Sequence, residues 1–331
     1  MKLIVKIEII LLVLVVLAGA YLVLNAEGVF ELLHEPVIAT REAPQIPTDA
    51  PTQPEVLPEA TLPETAETAS EITRNITADS YFAYDVREDV YLAKLGDSEA
   101  KLYPASITKL LTGYVVLQHM DADEIVKVGD ALSLVQPDSS VAKLKAGDEL
   151  TVSQLIAAMM LPSGNDAAQT VAVATGRQIG GSNLPTREAV DVFVEEMNRQ
   201  AELLGMVNSH FANPDGFHDN DHYTTMDDLV TLCKVLLADP VMMGYTSMLN
   251  ESVELQGRTV EWDNTNLLLH SEEDVYHANA MGMKTGYTKM AGNCLISAFF
   301  EEDRVILIGV FGCPGFTEDR YYDTVAIYDS L

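Results

Sequence analysis

Three short patterns bring together residue types that could carry out acyl transfer: Ser106-Ile-Thr-Lys109, Ser163-Gly-Asn165 and Lys284-Thr285-Gly286. In the first, a hydroxyl and an amine are separated by one helical turn, so both side chains share a face. Serine is a poor nucleophile until a base takes its proton. Lysine acts as that base only when burial or neighbouring positive charge lowers its pKa, and Lys284 is a candidate source of such charge. In the second pattern, Ser163 could relay a proton to a leaving amine while Asn165 hydrogen-bonds a substrate amide. In the third, Lys284 and Thr285 could meet a terminal carboxylate. The main-chain N–H of Tyr287 could then join that of Ser106 as an oxyanion hole.

Each pattern alone is weak. Ser-x-x-Lys is expected by chance about once in a chain of this length, and a second instance stands at Ser140-Val-Ala-Lys143. Ser163, Gly164, Asn165 and Asp166 would also make an ordinary turn and helix cap. The flanking elements discriminate. Pro104 fits the first turn of a long apolar helix, Ser106 to Met120, whereas Ser140 lies in a polar stretch beside Pro137 and Asp138. Val152, Leu155, Ile156, Met159 and Met160 mark an amphipathic helix capped by Thr151 and stopped at Pro162, with a small-residue helix starting at Asp166. The loop carrying Ser163 and Asn165 is thereby pinned between two buried helices. Met281 to Thr288 reads as a glycine-containing strand along which a peptide could add as an edge strand.

Elsewhere, Ser80 to Lys94 predicts two short strands around Arg87-Glu88-Asp89. Val190 to Leu204 predicts a helix closed by Gly205, and Cys294–Phe300 with Val305–Phe311 a buried hairpin. Asp319 to Leu331 predicts a final helix. Strands thus open and close the domain while helices fill its middle.

Lys and Arg total 20 against 50 Asp and Glu, a formal net charge of −30. That balance argues against nucleic acid and anionic headgroups as partners. Cys233, Cys294 and Cys313 sit in apolar surroundings and read as small core residues. Ile9 to Leu24 is an uncharged apolar run preceded by Lys2 and Lys6, which predicts a membrane anchor over residues 1–26 with the remainder exported. Ala18-Gly19-Ala20 offers the alternative of a cleaved export signal, giving a secreted protein. Residues 27–77 hold seven of the fourteen prolines and predict a flexible linker rich in Pro, Glu and Thr. The remainder, about residues 78–331, fits one large domain or a core with an inserted lobe.

The ordered triple resembles the serine D-alanyl-D-alanine carboxypeptidases, the low-molecular-mass penicillin-binding proteins of the β-lactamase-like superfamily. The likeness extends over about residues 78 to 331. It includes Tyr103 to Thr112, Leu161 to Ala168, Asn213-Pro-Asp-Gly216 with His222-Tyr-Thr-Thr225, Asn264-Thr-Asn266, and Gly282 to Thr288. The resemblance implies an α/β (α+β) fold, an antiparallel sheet flanked by helices with an inserted all-helical lobe. It also implies removal of the terminal D-alanine from peptidoglycan stem pentapeptides through an acyl-enzyme on Ser106. Lys109 would be the base and Ser163 an assistant in proton transfer. Asn165, Lys284, Thr285, Gly286 and Tyr287 would bind substrate, with Arg320 near its carboxylate. No cofactor or metal is implied, and β-lactams would be covalent inhibitors. Many relatives carry a further β-rich domain and a C-terminal anchor; this chain ends at Leu331, consistent with a single catalytic domain and an N-terminal tether.

Three other readings bear on the same residues. A class A β-lactamase would need a glutamate-activated water, for which Glu195-Glu196 is the nearest candidate. A zinc D,D-carboxypeptidase could draw on His210, His218 and His222, although Asn213-Pro214-Asp215-Gly216 implies a loop rather than the helix that would present such ligands. A wall-binding or antibiotic-sensing module would keep the fold and acylate without turnover.

Overall fold

The computed structural model describes residues 76–301, 303–315 and 318–331. The expected anchor over 1–26 and nearly all of the expected linker over 27–77 lie outside the described residues. Thr77, at the end of that linker, hydrogen-bonds through its N–H and hydroxyl to Asp323, as does the N–H of Ala78, at 2.9–3.0 Å.

Strands β1 (Ser80–Asp85) and β2 (Val90–Leu95) form the first hairpin. A 3₁₀ turn, Ala105–Thr108, leads directly into α1 (Lys109–His119), the buried helix expected from Ser106 onward. The tighter first turn matters chemically, because side chains three apart eclipse in a 3₁₀ turn and Lys109 comes to stand over Ser106. The short strands β3 (Ile125–Lys127) and β4 (Glu149–Thr151) pair with each other. Next comes α2 (Val152–Met160), with a reciprocal Thr151–Gln154 capping box at its start. Helix α3 (Asn165–Gly180) follows, then α4 (Thr186–Leu204), ended by Gly205 at φ +92°. Two helices, α5 (Met226–Leu237) and α6 (Pro240–Ser247), and the hairpin β5 (Asn250–Leu255) with β6 (Arg258–Asp263) complete the inserted lobe. These last elements are additions to the sequence reading. The chain then re-enters the sheet as β7 (Ala280–Thr288), β8 (Gly292–Glu301) and β9 (Arg304–Cys313), and ends in α7 (Asp319–Asp329).

The main sheet runs β2-β1-β9-β8-β7 with every neighbouring pair antiparallel. Its two faces explain the unbroken apolar runs of β8 and β9. Leu307 and Ile296 join the core shared with the helical lobe, whereas Ile306, Ile308 and Leu295 face the core beneath α7. A strand buried on both sides has no polar face to alternate with. The three cysteines are buried and free, and burial pushes the thiols of Cys233 and Cys294 up to about 12 and about 11. Among the described residues no single helix is long and apolar enough to cross a membrane; α5 and α6 pass together on length and composition but bend by 104°.

Helices α3 and α4 meet where a side chain at Gly176 would lie 1.8 Å from the carbonyl oxygen of Ala189. Gly176→Ala should therefore force the helices apart and destabilise the fold by about 2–3 kcal/mol, read from urea denaturation. An unchanged midpoint would contradict this packing.

Candidate active site

The 3₁₀ turn places Ser106 at the mouth of a cleft of about 700 Å³ and sends Lys109 beneath it. Lys109 is fully buried. Its Nζ lies 2.7 Å from Ser106 Oγ, and it donates to Asn165 Oδ1 at 2.8 Å and to the carbonyl oxygen of Asp215 at 2.7 Å. Burial lowers its pKa to about 8 against the opposing pull of the Asp215 and Asp166 carboxylates. Burial, rather than the charge of Lys284, is thus the principal cause. A neutral amine has two N–H donors and one lone pair. With the Asn165 and Asp215 oxygens able only to accept, the two protons are taken there. The lone pair is left aimed at the Ser106 hydroxyl, which is the arrangement a general base requires.

The second wall is the break between α2 and α3. Ser163 is buried and held at φ +59°, a conformation costly for a residue with a side chain. Gly164 follows because a Cβ there would lie 2.7 Å from the Ala158 carbonyl oxygen. The loop is fastened from outside by the segment 140–144. The N–H of Asn165 donates to Ser140 O, and the Asp166 carboxylate accepts from the N–H groups of Ala142 and Leu144 at 2.7 and 2.9 Å. Ser140 therefore lines the cleft, while Lys143 is exposed and lines a different groove. The second Ser-x-x-Lys pair makes no nucleophile–base contact.

The third wall is the edge strand β7. Lys284 is buried, and its amine lies 3.3 Å from Thr285 Oγ1. Burial and the charges of Lys109 and Arg320 hold its pKa well below the usual lysine range. Thr285 Oγ1 pairs with Thr265 Oγ1 at 2.7 Å. Gly286 allows the strand to close on the nucleophile, since a Cβ there would come within 3.2 Å of Ser106 N. Arg320, at the start of α7, donates from Nη1 to the Gly286 carbonyl at 3.1 Å and leaves a buried Nε unpartnered. Tyr287 stands 61% exposed at the rim.

Seven of the nine residues singled out in the sequence line this one cleft: Ser106, Ser163, Asn165, Thr285, Gly286, Tyr287 and Arg320. Lys109 and Lys284 lie buried behind its surface. Ser139, Phe217 and Met290, which nothing in the sequence marked, also line it, as do Thr265 of the Asn264–Asn266 segment and His218, one of the three candidate zinc histidines. The carbonyl of Asp215 is the least legible of all, because a main-chain acceptor leaves no trace in residue type. The other two candidate zinc histidines take other roles: His222 binds Thr108 and Ala212 within the core, and His210 Nδ1 meets the Asp221 carbonyl. Among the described residues no group of three or more His, Cys, Asp or Glu side chains is placed to hold a metal.

Comparison with known proteins agrees with this geometry. D-alanyl-D-alanine carboxypeptidase DacC of Escherichia coli (strain K12) is 32% identical over 247 residues, covering 72% of this chain and 57% of DacC. The chain spans little more than half the length of the first curated relatives it matches. The DD-transpeptidase of Streptomyces K15 superposes with a TM-score of 0.69 at 28% identity, over 77% of this chain and 97% of that one. Penicillin-binding protein D2 of Listeria monocytogenes, solved in its cefotaxime-bound form, does so with a TM-score of 0.63 at 25% identity and the same coverage. The family model for D-alanyl-D-alanine carboxypeptidases of peptidase family S11 matches residues 65–314, and the chain belongs to that family.

Proposed function

We propose that this protein removes the terminal D-alanine from peptidoglycan stem pentapeptides through an acyl-enzyme on Ser106. The observation that carries the reading is the buried Lys109 amine, 2.7 Å from Ser106 Oγ and held by two acceptor oxygens. Neutral Lys109 takes the Ser106 proton as Oγ attacks the carbonyl carbon of the penultimate D-alanine. The oxyanion is received by main-chain N–H groups of Ser106 and Tyr287. As the tetrahedral intermediate collapses, the carbon–nitrogen bond breaks and the leaving amine takes a proton from Lys109 through Ser163. Lys109, neutral again, then deprotonates a water that attacks the ester carbonyl, and it returns that proton to Ser106 Oγ as the ester bond breaks. Lys284, Thr285 and Arg320 supply positive charge and a hydroxyl for the substrate's terminal carboxylate. Asn165 and the backbone of β7 hold the peptide. A β-lactam presents a strained amide to the same hydroxyl, and its amine stays attached after ring opening, which retards deacylation.

The β-lactamase alternative is less well supported. Glu196 is engaged by Arg199, His119 and Gln200, which together hold its carboxyl well below the usual range. Neither it nor Glu195 is among the residues lining the cleft. Among the described residues the carboxylates lining the cleft are those of Asp138 and Asp215, and the latter accepts from Gln169 and the Phe217 N–H.

We propose further that residues 1–26 tether the enzyme to the cell membrane with the catalytic domain outside the cytoplasm. The uncharged run from Ile9 to Leu24 and the lysines before it support this reading.

Incubation with labelled penicillin should add one mass equivalent to the Ser106 peptide of the wild type and none to Ser106→Ala. An adduct on the variant, or rapid release of hydrolysed penicillin by the wild type, would refute the carboxypeptidase assignment. Below the Lys109 pKa the reactive neutral amine is scarce. The second-order acylation rate should therefore rise about tenfold per pH unit up to about pH 8 and then level. A flat profile from pH 6 to 9 would exclude Lys109 as the base. Deleting residues 1–26 should move the protein from the membrane pellet to the soluble fraction, and unchanged partitioning would refute the tether.

A further inference from the structure

The peptide unit joining Ala105 to Ser106 carries the main-chain N–H that the proposed mechanism uses as an oxyanion donor. It is an unusual unit. Ala105 sits at φ +49°, in the left-handed region where a side chain is costly, and the Ser106 N–H has no acceptor among the described residues. Something must hold that conformation, and the contacts of the Ala105 carbonyl show what does. Thr108 Oγ1 donates to Ala105 O at 2.8 Å. Having spent its one proton there, the hydroxyl can only accept from His222, whose Nε2 lies 2.7 Å away. On the other side of the ring, Nδ1 accepts from the Ala212 N–H at 3.1 Å. The directions agree at every step: Ala212 N–H to Nδ1, Nε2–H to Thr108 Oγ1, Thr108 O–H to Ala105 O.

His222 is 2% exposed, and burial lowers its pKa to about 3, so the ring stays neutral and keeps a single proton. Asp219 pulls against that shift, whereas the neighbouring His210, His218 and Lys109 reinforce it. Its edge-on contact with Phe211, with ring centroids 5.4 Å apart, fixes the ring plane. Gly216, at φ +79°, backs the same carbonyl so closely that a Cβ would stand 1.8 Å from Ala105 O. The Ala105 oxygen is thus gripped from one side and fenced from another.

We propose that the relay Ala212–His222–Thr108 is a positioning device for the oxyanion donor, and that Thr108 and His222 are positioning residues for acylation of Ser106. In a trans peptide the C=O and N–H point in opposite directions, so fixing the Ala105 oxygen in the core directs the Ser106 N–H out into the cleft. A hydrogen bond accepted by the carbonyl also polarises the amide and strengthens its N–H as a donor. The effect is realised as negative charge develops on the substrate oxygen, so it belongs to the transition state rather than to ground-state binding.

This inference rests on the acyl-enzyme reading of Ser106, and the test separates the two. Thr108→Val keeps the shape of the side chain and removes the hydroxyl. Its acylation by labelled penicillin should slow on the order of 100-fold, and kcat for release of D-alanine from a D-Ala-D-Ala peptide should fall likewise with KM little changed. Thr108→Ser, which restores the donor, should recover most of the rate. A wild-type rate in Thr108→Val, or a loss in KM alone, would overturn the relay. Independently of whether that variant folds, ¹⁵N NMR of histidine-labelled wild-type protein should find His222 protonated on Nε2 and bare on Nδ1, and the opposite tautomer would overturn the relay. A wild type that penicillin does not acylate at all would refute the assignment of Ser106, while the tautomer measurement would still decide the relay.

Discussion

The structure depends on one buried amine. Lys109 has lost its hydration entirely, and three oxygens from three separate parts of the chain replace it: Ser106, Asn165 and Asp215. Burying a lysine is unfavourable unless its N–H groups find partners and its charge can be shed. Both conditions are met here, and the same desolvation that makes the site costly makes the amine available as a base near neutrality. The nucleophile turn, the start of α3 and the loop before Gly216 are positioned by their bonds to a single nitrogen.

The surrounding scaffold is arranged to keep those three acceptors in place. The Asp166 carboxylate draws the 142–144 segment against the start of α3, and Trp262 adds a bond from Nε1 to the Ala142 carbonyl. Strand β7 approaches the nucleophile where Gly286 leaves room. Left-handed conformations at Ala105 and Ser163 flank the reactive serine on two walls. Strain of this kind persists where surrounding contacts outweigh it, and at both positions the neighbouring hydrogen bonds and close glycine contacts do so.

Charge is distributed with the same economy. A chain with formal charge −30 concentrates Lys109, Lys284 and Arg320 behind or along one cleft. Lys284 feels both of the other cations, and burial and their charges depress it together. A carboxylate arriving in this cleft would relieve that repulsion, whereas most of the remaining surface would repel it. The proposed substrate ends in such a group, and the cationic cleft gives it a local attraction that the acidic surface elsewhere lacks.

The types and order of the reactive residues, and the local elements bearing them, were determined by the sequence alone. The Thr151 cap, the stop at Pro162, the Gly205 terminus and the β8–β9 hairpin arise from periodicity and turn chemistry, which act over a few residues. The expected antiparallel sheet flanked by helices is the observed one, but the inserted lobe, expected to be all-helical, also carries the β3–β4 and β5–β6 pairs. The Met226–Ser247 helices and the β5–β6 hairpin were not legible, because their signals are short and their pairing is settled by packing against the rest of the lobe. Tertiary structure alone decided which atoms meet. It separated Lys109 from Lys143, gave the Asp215 carbonyl its role, turned Arg320 onto Gly286 and placed His222 against Thr108. Main-chain oxygens are the same in every residue, and burial is a property of the folded chain, so neither can be read from residue type.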